Sequence, residues 1–258
     1  MILGIDASNV LIGGGLTHLR EIIENINLKN FKFKKIIIWG NSNVLDQIKD
    51  LNIIDKKTIG FFNKTSLLRI IWIIFILPIE LHKNNCNVLF SPGGMVWFPL
   101  KKSITMCRNM QPFELSKNNL YGFSIYSLRL FFLNLIFKFS FKRSDGLIFL
   151  TNYAKKKVNQ SCNLKRKDQI IIPHGINQKF SKLINKIRTK DLKINSEKIN
   201  LLYVSTIEPY KNHDSVIKAS FRLYKEGFNI NLILIGSQNK KEAKKFKDLI
   251  NKYDAKKE

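Results

Sequence analysis

The sequence predicts an α/β fold, a mostly parallel sheet with helices on both faces, followed by the beginning of a second unit of the same kind. Three observations carry this. Short runs of β-branched and apolar residues recur along the chain, among them KIIIW at 35–39, NVLF at 87–90 and GLIFL at 146–150. Segments with helical apolar spacing lie between them, the alternation that a parallel sheet needs. Small and polar residues close the runs, so loops able to hold a ligand gather where the strands end.

The first strand is Ile2 to Asp6, followed by Ala7-Ser8-Asn9, Gly13-Gly14-Gly15 and a helix over Thr17 to Asn27 with Leu19, Ile22, Ile23 and Ile26 on one face. Glycines at a helix start let the backbone come close to a ligand, which makes Gly14 and Gly15 candidate ligand contacts. The same glycines serve equally as a strand-to-helix turn. The pattern is not GxGxxG, and no ribose-binding acid follows at the usual distance, which argues against a dinucleotide cofactor.

Lys35 to Trp39 is the next strand, Val44 to Leu51 a helix and Thr58 to Phe62 a short strand. Leu67 to Leu81 is strongly apolar but broken by Arg69 and Pro78 and too short to cross a bilayer, so it reads as a buried helix. After the strand Asn87 to Phe90 and the loop Ser91-Pro92-Gly93-Gly94, Ile104 to Cys107 is a strand that ends in the polar cluster Arg108 to Glu114. Arg108 and Asn109 are candidate substrate-facing residues there, because open α/β sheets hold ligands at that edge. Tyr126 to Phe141, carrying Arg129 and Lys138, reads as a helix in the core or pressed on lipid head groups. Gly146 to Leu150 is a strand, Thr151-Asn152 cap a helix over Tyr153 to Val158, and Gln169 to Ile172 closes this half. Pro173-His174-Gly175-Ile176 turns the chain away, and the polar stretch Ser181 to Lys198 reads as a linker.

The second unit begins with Leu201 to Val204 as a strand, Ser205 to Tyr210 as a loop with Pro209, and Asn212 to Asp214 as a helix start. Asn229 to Ser237 is a second strand, and Asn239 to Asp254 a Lys-rich helix. Lys211 thus sits where free N–H groups and the positive end of a helix dipole favour an anion, a seat for a phosphate or diphosphate. A lysine merely solvated beside a helix is the plain alternative. Ser205, Thr206, Gly236 and Ser237 share this edge. Gly236 and Ser237 are candidates for the nucleotide pocket, although a strand end explains the glycine as well. His174 and His213 are read as structural residues at the turn and the helix start.

Composition narrows the partners. With 44 Lys+Arg against 19 Asp+Glu the net charge is +25, which suits nucleic acid, an anionic membrane surface or an anionic substrate. Basic stripes interleaved with aromatics, zinc spacings and RNP-like motifs are all missing from the sequence, which argues against nucleic acid. Cys86, Cys107 and Cys162 are odd in number and far apart, as expected for reduced thiols in a cytosolic protein. MILGIDASNV enters a strand directly, so no signal peptide is expected.

These pieces together resemble the retaining nucleotide-sugar glycosyltransferases of the GT-B fold, in the family 4 group of bacterial mannosyl- and glucosyltransferases. GGGLTHLREI resembles that family's N-terminal glycine-rich loop and helix, GLIFLTNYAKKKV its strand-helix segment, and IIIPHGIN its hinge between domains; LLYVSTIEPYKNH resembles the start of its second domain. The resemblance implies a GT-B chain with an acceptor-side domain at 1–180, a linker at 181–198 and the start of a donor-side domain at 199–258. It implies transfer of a sugar from a GDP- or UDP-linked donor to a lipid-linked or polysaccharide acceptor of the cell envelope, with retention and without a metal or cofactor. By this match Lys211 binds the donor diphosphate together with Thr206, Ser205, Gly14 and Gly15, while Arg108 and Asn109 stand at the catalytic centre.

Two departures accompany the match. Thr206 replaces the family's arginine, so one hydrogen-bond donor stands where a charge is usual. Arg108-Asn109-Met110-Gln111-Pro112 stands for the usual His-Asp-x-x-Pro, a variant that removes an imidazole. The family's acidic E-x7-E segment is expected beyond residue 258, so the resemblance also implies a donor domain completed elsewhere, by further chain or by a second polypeptide. An inactive remnant that binds an acceptor or partner is the alternative. Either form is expected in the cytoplasm, peripheral to the inner face of an anionic membrane.

Overall fold

A computed structural model resolves the chain into two compact units, Met1–Asn119 with Phe123–Gly175 and Leu120–Gly122 with Ile176–Glu258. The structure describes residues 1–11, 13–27, 32–97, 102–114, 122, 124–164, 168–176 and 198–237, and of the remainder 244, 247–248 and 250–253.

The first unit alternates strands and helices: β1 Ile2–Asp6, α1 Gly14–Glu24, β2 Lys35–Gly40, α2 Ser42–Leu45, β3 Ile54–Thr58, α3 Ser66–Ile71, a π turn Trp72–Ile76, α4 Leu77–Lys83, β4 Val88–Ser91, β5 Lys102–Cys107, α5 Ile125–Arg143, β6 Gly146–Phe149, α6 Asn152–Cys162 and β7 Gln169–Ile171. The strands form one sheet in the order β3-β2-β1-β4-β5-β6-β7, every neighbouring pair parallel. The order reverses between β1 and β4. At such a switch point the loops at the strand ends part and leave a crevice.

Both faces of the sheet are covered, which is why its strands read as continuous apolar runs. In β2, Ile36 and Ile38 pack with Leu16, Leu19 and Ile23 of α1, while Ile37 and Trp39 pack with Trp72, Ile73, Leu77 and Leu81. Parallel register carries the second face across the sheet: Leu89 lies beside Ser103, and Thr105 and Cys107 lie beside Leu147 and Phe149. Leu147 and Phe149 meet Phe137 and Phe141 of α5 and Val158 of α6. Helices α3 to α6 therefore all cover one face, and α1 and α2 the other.

Local chemistry sets the helix starts. The Thr65, Ser124 and Thr151 hydroxyls accept from Leu68, Ser127 and Ala154 N–H at 3.2, 3.2 and 3.1 Å, capping α3, α5 and α6. Asn163 in the left-handed region (φ 49°) ends α6. The π turn just ahead of Pro78 explains how a proline fits within the helical run 66–83. Proline lacks the N–H and crowds the carbonyl four residues back, and the wider turn takes up that misfit.

Several expectations shift. The helix foreseen over Val44 to Leu51 is only the single turn of α2, after which the chain continues in turns. The third strand lies at Ile54–Thr58 rather than Thr58 to Phe62, where Gly60–Asn63 instead forms a 3-10 turn. The stretch Leu67 to Leu81 is helical but only half-buried, since Leu67, Phe75 and Ile79 are exposed. The three cysteines are free and buried. Apart from Lys198, the linker foreseen at Ser181 to Lys198 lies outside the described residues.

In the second unit β8 Ile199–Val204 and β9 Ile230–Ile235 pair in parallel, joined by the 3-10 turn Pro209–Lys211 and the helix α7 His213–Lys225. This is the strand-helix-strand unit foreseen from the sequence. Ile217, Phe221 and Tyr224 of α7, with Leu232 and Leu234 of β9, line a cavity together with Ile250 and Tyr253. The opposite face, with Leu202, Val204, Ile233 and Ile235, is exposed.

Candidate active site

In the first unit the loops at the carboxyl ends of β5 and β7 reach α1, and the loop after β4 meets the one after β1. Gly13 takes a left-handed conformation (φ 69°) and leads into Gly14 and Gly15, whose N–H groups open the helix. A Cβ on Gly15 would lie 3.1 Å from an Arg108 guanidinium nitrogen. Arg108 thus reaches from the end of β5 to the first turn of α1, a proximity between two candidate residues that the sequence assigns to separate roles. At the switch point a Cβ on Gly93 would lie 2.9 Å from Cβ of Asn9, so only glycine allows these two loops to approach so closely.

The loop after Arg108 is pinned residue by residue. Asn109 Oδ1 accepts from Gln111 N–H at 3.1 Å and closes its own turn. Tyr126 donates to Gln111 Oε1 at 3.0 Å, Asn134 donates to the Pro112 carbonyl at 2.7 Å, and Tyr153 donates to Glu114. Phe113 stacks on Phe137 and Phe141 of α5, centroids 6.2 and 5.9 Å away. Such anchoring holds the base of the Arg108 side chain on a rigid frame. Burial lowers the Arg108 pKa from its ordinary value.

Two histidines that sequence reasoning left out of the site stand beside this arginine. His18, in the second turn of α1, meets His174 edge to face at 4.7 Å between ring centroids. Burial first, then His174, then Arg108, lower the His18 pKa to about 4. Its Nδ1 is buried without a hydrogen-bond partner among the described residues. Arg108, His18 and His174 thus form a cationic or hydrogen-bond-donating corner next to a helix N-terminus, a combination suited to an anion. Their separation in sequence leaves no local signal of the pairing.

Asp6, at the end of β1, was also unmarked in the sequence. It is fully buried, and its Oδ1 accepts from Ser8 N–H at 3.1 Å and Trp72 Nε1 at 3.3 Å. Burial raises its pKa. It fastens the β1 loop to the π turn.

The second unit gathers the other candidates at the carboxyl edge of β8 and β9. Ser205 N–H donates to the Ile235 carbonyl and Ile207 N–H to the Ser237 carbonyl, each at 2.9 Å. A Cβ on Gly236 would lie 1.8 Å from the Ser205 carbonyl oxygen, so this backbone approach accounts for glycine there. Lys211 ends the 3-10 turn immediately before α7, and its Nζ lies 5.0 Å from the Tyr210 ring centroid. Tyr203 donates to the Lys211 carbonyl at 2.7 Å and packs on His213 at 4.9 Å, which fixes the backbone under the lysine. Thr206 is exposed beside them. Among the described residues no group of three or more His, Cys, Asp or Glu is gathered as a metal site.

The family profile described as "Glycosyl transferases group 1" matches residues 184–258, the segment that holds Lys211 and Gly236. A glycosyl transferases group 1 domain is therefore present. In three dimensions the chain is similar to WaaG, described as a glycosyltransferase involved in lipopolysaccharide biosynthesis, with TM-score 0.60 and 13% identity over 98% of this chain and 67% of that one. UDP-N-acetylglucosamine 2-epimerase from Rickettsia bellii matches with TM-score 0.49 and 14% identity over 96% of this chain and 64% of that one. No curated protein matches in sequence. The fold resembles the Rossmann-like α/β arrangement of the GT-B glycosyltransferase WaaG, as the sequence predicted.

Proposed function

We propose that this chain belongs to a retaining glycosyltransferase that moves a sugar from a GDP- or UDP-linked donor to a lipid-linked or polysaccharide acceptor in cell-envelope glycan assembly. The observation that carries the reading is the group 1 profile over the segment in which Lys211 precedes the N-terminus of α7. In this reading Lys211 and the adjacent N–H groups, with Ser205 and Thr206, hold the donor diphosphate and take up the charge that develops as the sugar leaves. Gly236 and Ser237 border the nucleotide. Gly14 and Gly15 offer further N–H groups, and Arg108 with Asn109 serves the acceptor side of the catalytic centre. This scheme involves neither a metal nor a cofactor, because lysine, arginine and helix N–H groups supply the positive charge. The molecule works at the cytoplasmic side of the membrane, where a lipid-linked acceptor is presented.

A second reading, binding of an acceptor or partner without transfer, is favoured by one observation. Leu202, Val204, Ile233 and Ile235 leave one face of the β8–β9 sheet exposed, a face that further chain or a second polypeptide would cover to complete a donor half.

Calorimetric binding of GDP and UDP to the chain and to Lys211→Ala separates the two. The transferase reading expects binding of one nucleotide, weakened at least about tenfold in the variant, which is about 1.4 kcal/mol. Absence of binding to the folded chain overturns a donor site in this polypeptide and leaves the second reading.

A further inference from the structure

The loop between β8 and α7 carries Ser205, Thr206 and Lys211, and two rings cross beneath it. His213, which follows the loop, hydrogen-bonds to the carbonyl of its first residue, Ser205. Tyr203, which precedes the loop, donates from its hydroxyl to the carbonyl of its last residue, Lys211, at 2.7 Å. The rings meet edge to face with centroids 4.9 Å apart, an arrangement favourable to aromatic pairs. Each ring therefore holds the end of the loop farther from it in sequence, and the contact between the rings couples the two ends.

Three further observations show that this brace, and not the local sequence, sets the loop. Asn212 lies in the left-handed region (φ 57°) and its side chain caps no backbone N–H of α7, so the usual device for fixing a helix start is not in use. The Ser205 carbonyl that His213 holds is the atom that excludes any Cβ at Gly236, so one oxygen ties the ends of β8 and β9 to the start of α7. His213 is only 5% exposed, whereas Thr206 and Tyr210 in the loop are exposed. Burial is the leading cause that lowers the His213 pKa; the bond to Ser205 opposes it, and the Lys211 charge adds to it. At pH 7.5 the ring is therefore neutral and brings no charge of its own to an anion. What it supplies is the position of the backbone.

We propose that His213 is a positioning residue for the donor: with Tyr203 it holds the loop 205–211 at the span that lets Ser205, Thr206 and Lys211 meet one diphosphate. A preorganised loop spends none of the binding free energy on its own ordering, which is why a neutral ring that touches no ligand still changes affinity. The inference rests on the proposed donor site at Lys211 and assigns a function to a histidine that the sequence marks only as a helix-start residue.

The test is calorimetric binding of GDP and UDP at pH 7.5 to the chain and its variants, with melting curves alongside. His213→Phe keeps a ring against Tyr203 but loses the bond to Ser205, and the nucleotide that binds is expected to weaken at least about tenfold. His213→Gln returns an N–H donor to the carbonyl and is expected to stay within about threefold of wild type. Tyr203→Phe frees the Lys211 carbonyl and is expected to lose about fivefold; combined with His213→Phe the loss is smaller than the product, because the two rings act as one brace. Ile217→Ala, buried on the same helix, is expected to lower the melting temperature and leave affinity unchanged, which separates positioning from stability. Hydrogen exchange of the free chain is expected to quicken at the Ile207 and Asn212 amides in His213→Phe while the β8 and β9 amides keep their rates. Undiminished binding in His213→Phe, no recovery in His213→Gln, or an equal loss in Ile217→Ala overturns the proposal and leaves the donor site standing. Should His213→Phe not fold, undiminished binding in Tyr203→Phe overturns it instead. Failure of the wild-type chain to bind either nucleotide overturns the donor site and the positioning role together.

Discussion

Lowering the pH from 7.5 to 4.5 is expected to leave the His18 imidazole neutral while an ordinary histidine becomes charged. The ring sits beside His174 and Arg108 with its Nδ1 buried, and its pKa is lowered from 6.5 to about 4. Between those values an unfolded chain takes up a proton at this residue and the folded chain does not. Stability from this residue is therefore fully present above about pH 6.5 and is lost as pH falls towards 4. At about 1.4 kcal/mol per pKa unit the full interval corresponds to roughly 3 kcal/mol. The ring is partly exposed, and solvent screening reduces the expected loss to about 1–2 kcal/mol.

Imidazole resonances followed by NMR across this range, assigned with His18→Gln, give the pKa directly, and urea unfolding at pH 7.5 and 4.5 gives the stability. His18→Gln is expected to flatten the acid limb of the stability curve. Arg108→Gln is expected to raise the His18 pKa only in part, because burial, not the guanidinium, is the leading cause. A ring that titrates above about pH 6 in the wild-type chain would refute the packing argument. A full return to 6.5 in Arg108→Gln would refute burial as the main cause.

Two further expectations concern the frame of the site. The Asp6 carboxyl has a raised pKa in the folded chain, so it holds a proton that the unfolded chain gives up above about pH 4; its contribution falls as pH rises through the folded pKa, by up to about 1.4 kcal/mol per pH unit. In Asp6→Asn the carbonyl oxygen can keep both hydrogen bonds and the slope disappears, so the stability of wild type relative to the variant should fall as pH rises above the ordinary carboxylate range; a pH-independent difference would contradict this. Phe141→Ala removes the centre of a stack in which Phe137 and Phe113 lie 5.6 and 5.9 Å away. A loss of about 3–5 kcal/mol in denaturant unfolding is expected, and a loss under about 1 kcal/mol would mean that the stack does not anchor the Arg108 loop.

What the sequence revealed and what it concealed follow from the range of the interactions involved. Strands such as Lys35–Gly40 and Gly146–Phe149 were legible because a parallel strand covered on both faces must be apolar throughout. Thr151 announced α6 because a cap acts three residues away, on Ala154. The strand at Ile54–Thr58 was misplaced because IDKKT offers little apolar pattern, and its identity depends on pairing with β2. The burial of Leu67 to Leu81 was overstated for a related reason. Apolar composition sets how much of a helix can be buried, whereas the neighbours available decide how much is.

At the candidate site the balance differs. Lys211 and Gly15 could be singled out because a residue at a helix start inherits the N–H groups and dipole of its own helix. His18, His174 and Asp6 had no such local marker. Their chemistry comes from partners that only the sheet order brings near: the ends of β5 and β7 for His18, the π turn for Asp6. The lowered pKa of the His18 imidazole and the raised pKa of the Asp6 carboxyl both have burial as their leading cause. Arg108, which reaches from the end of β5 to Gly15, stands beside His18 with its own pKa lowered by burial.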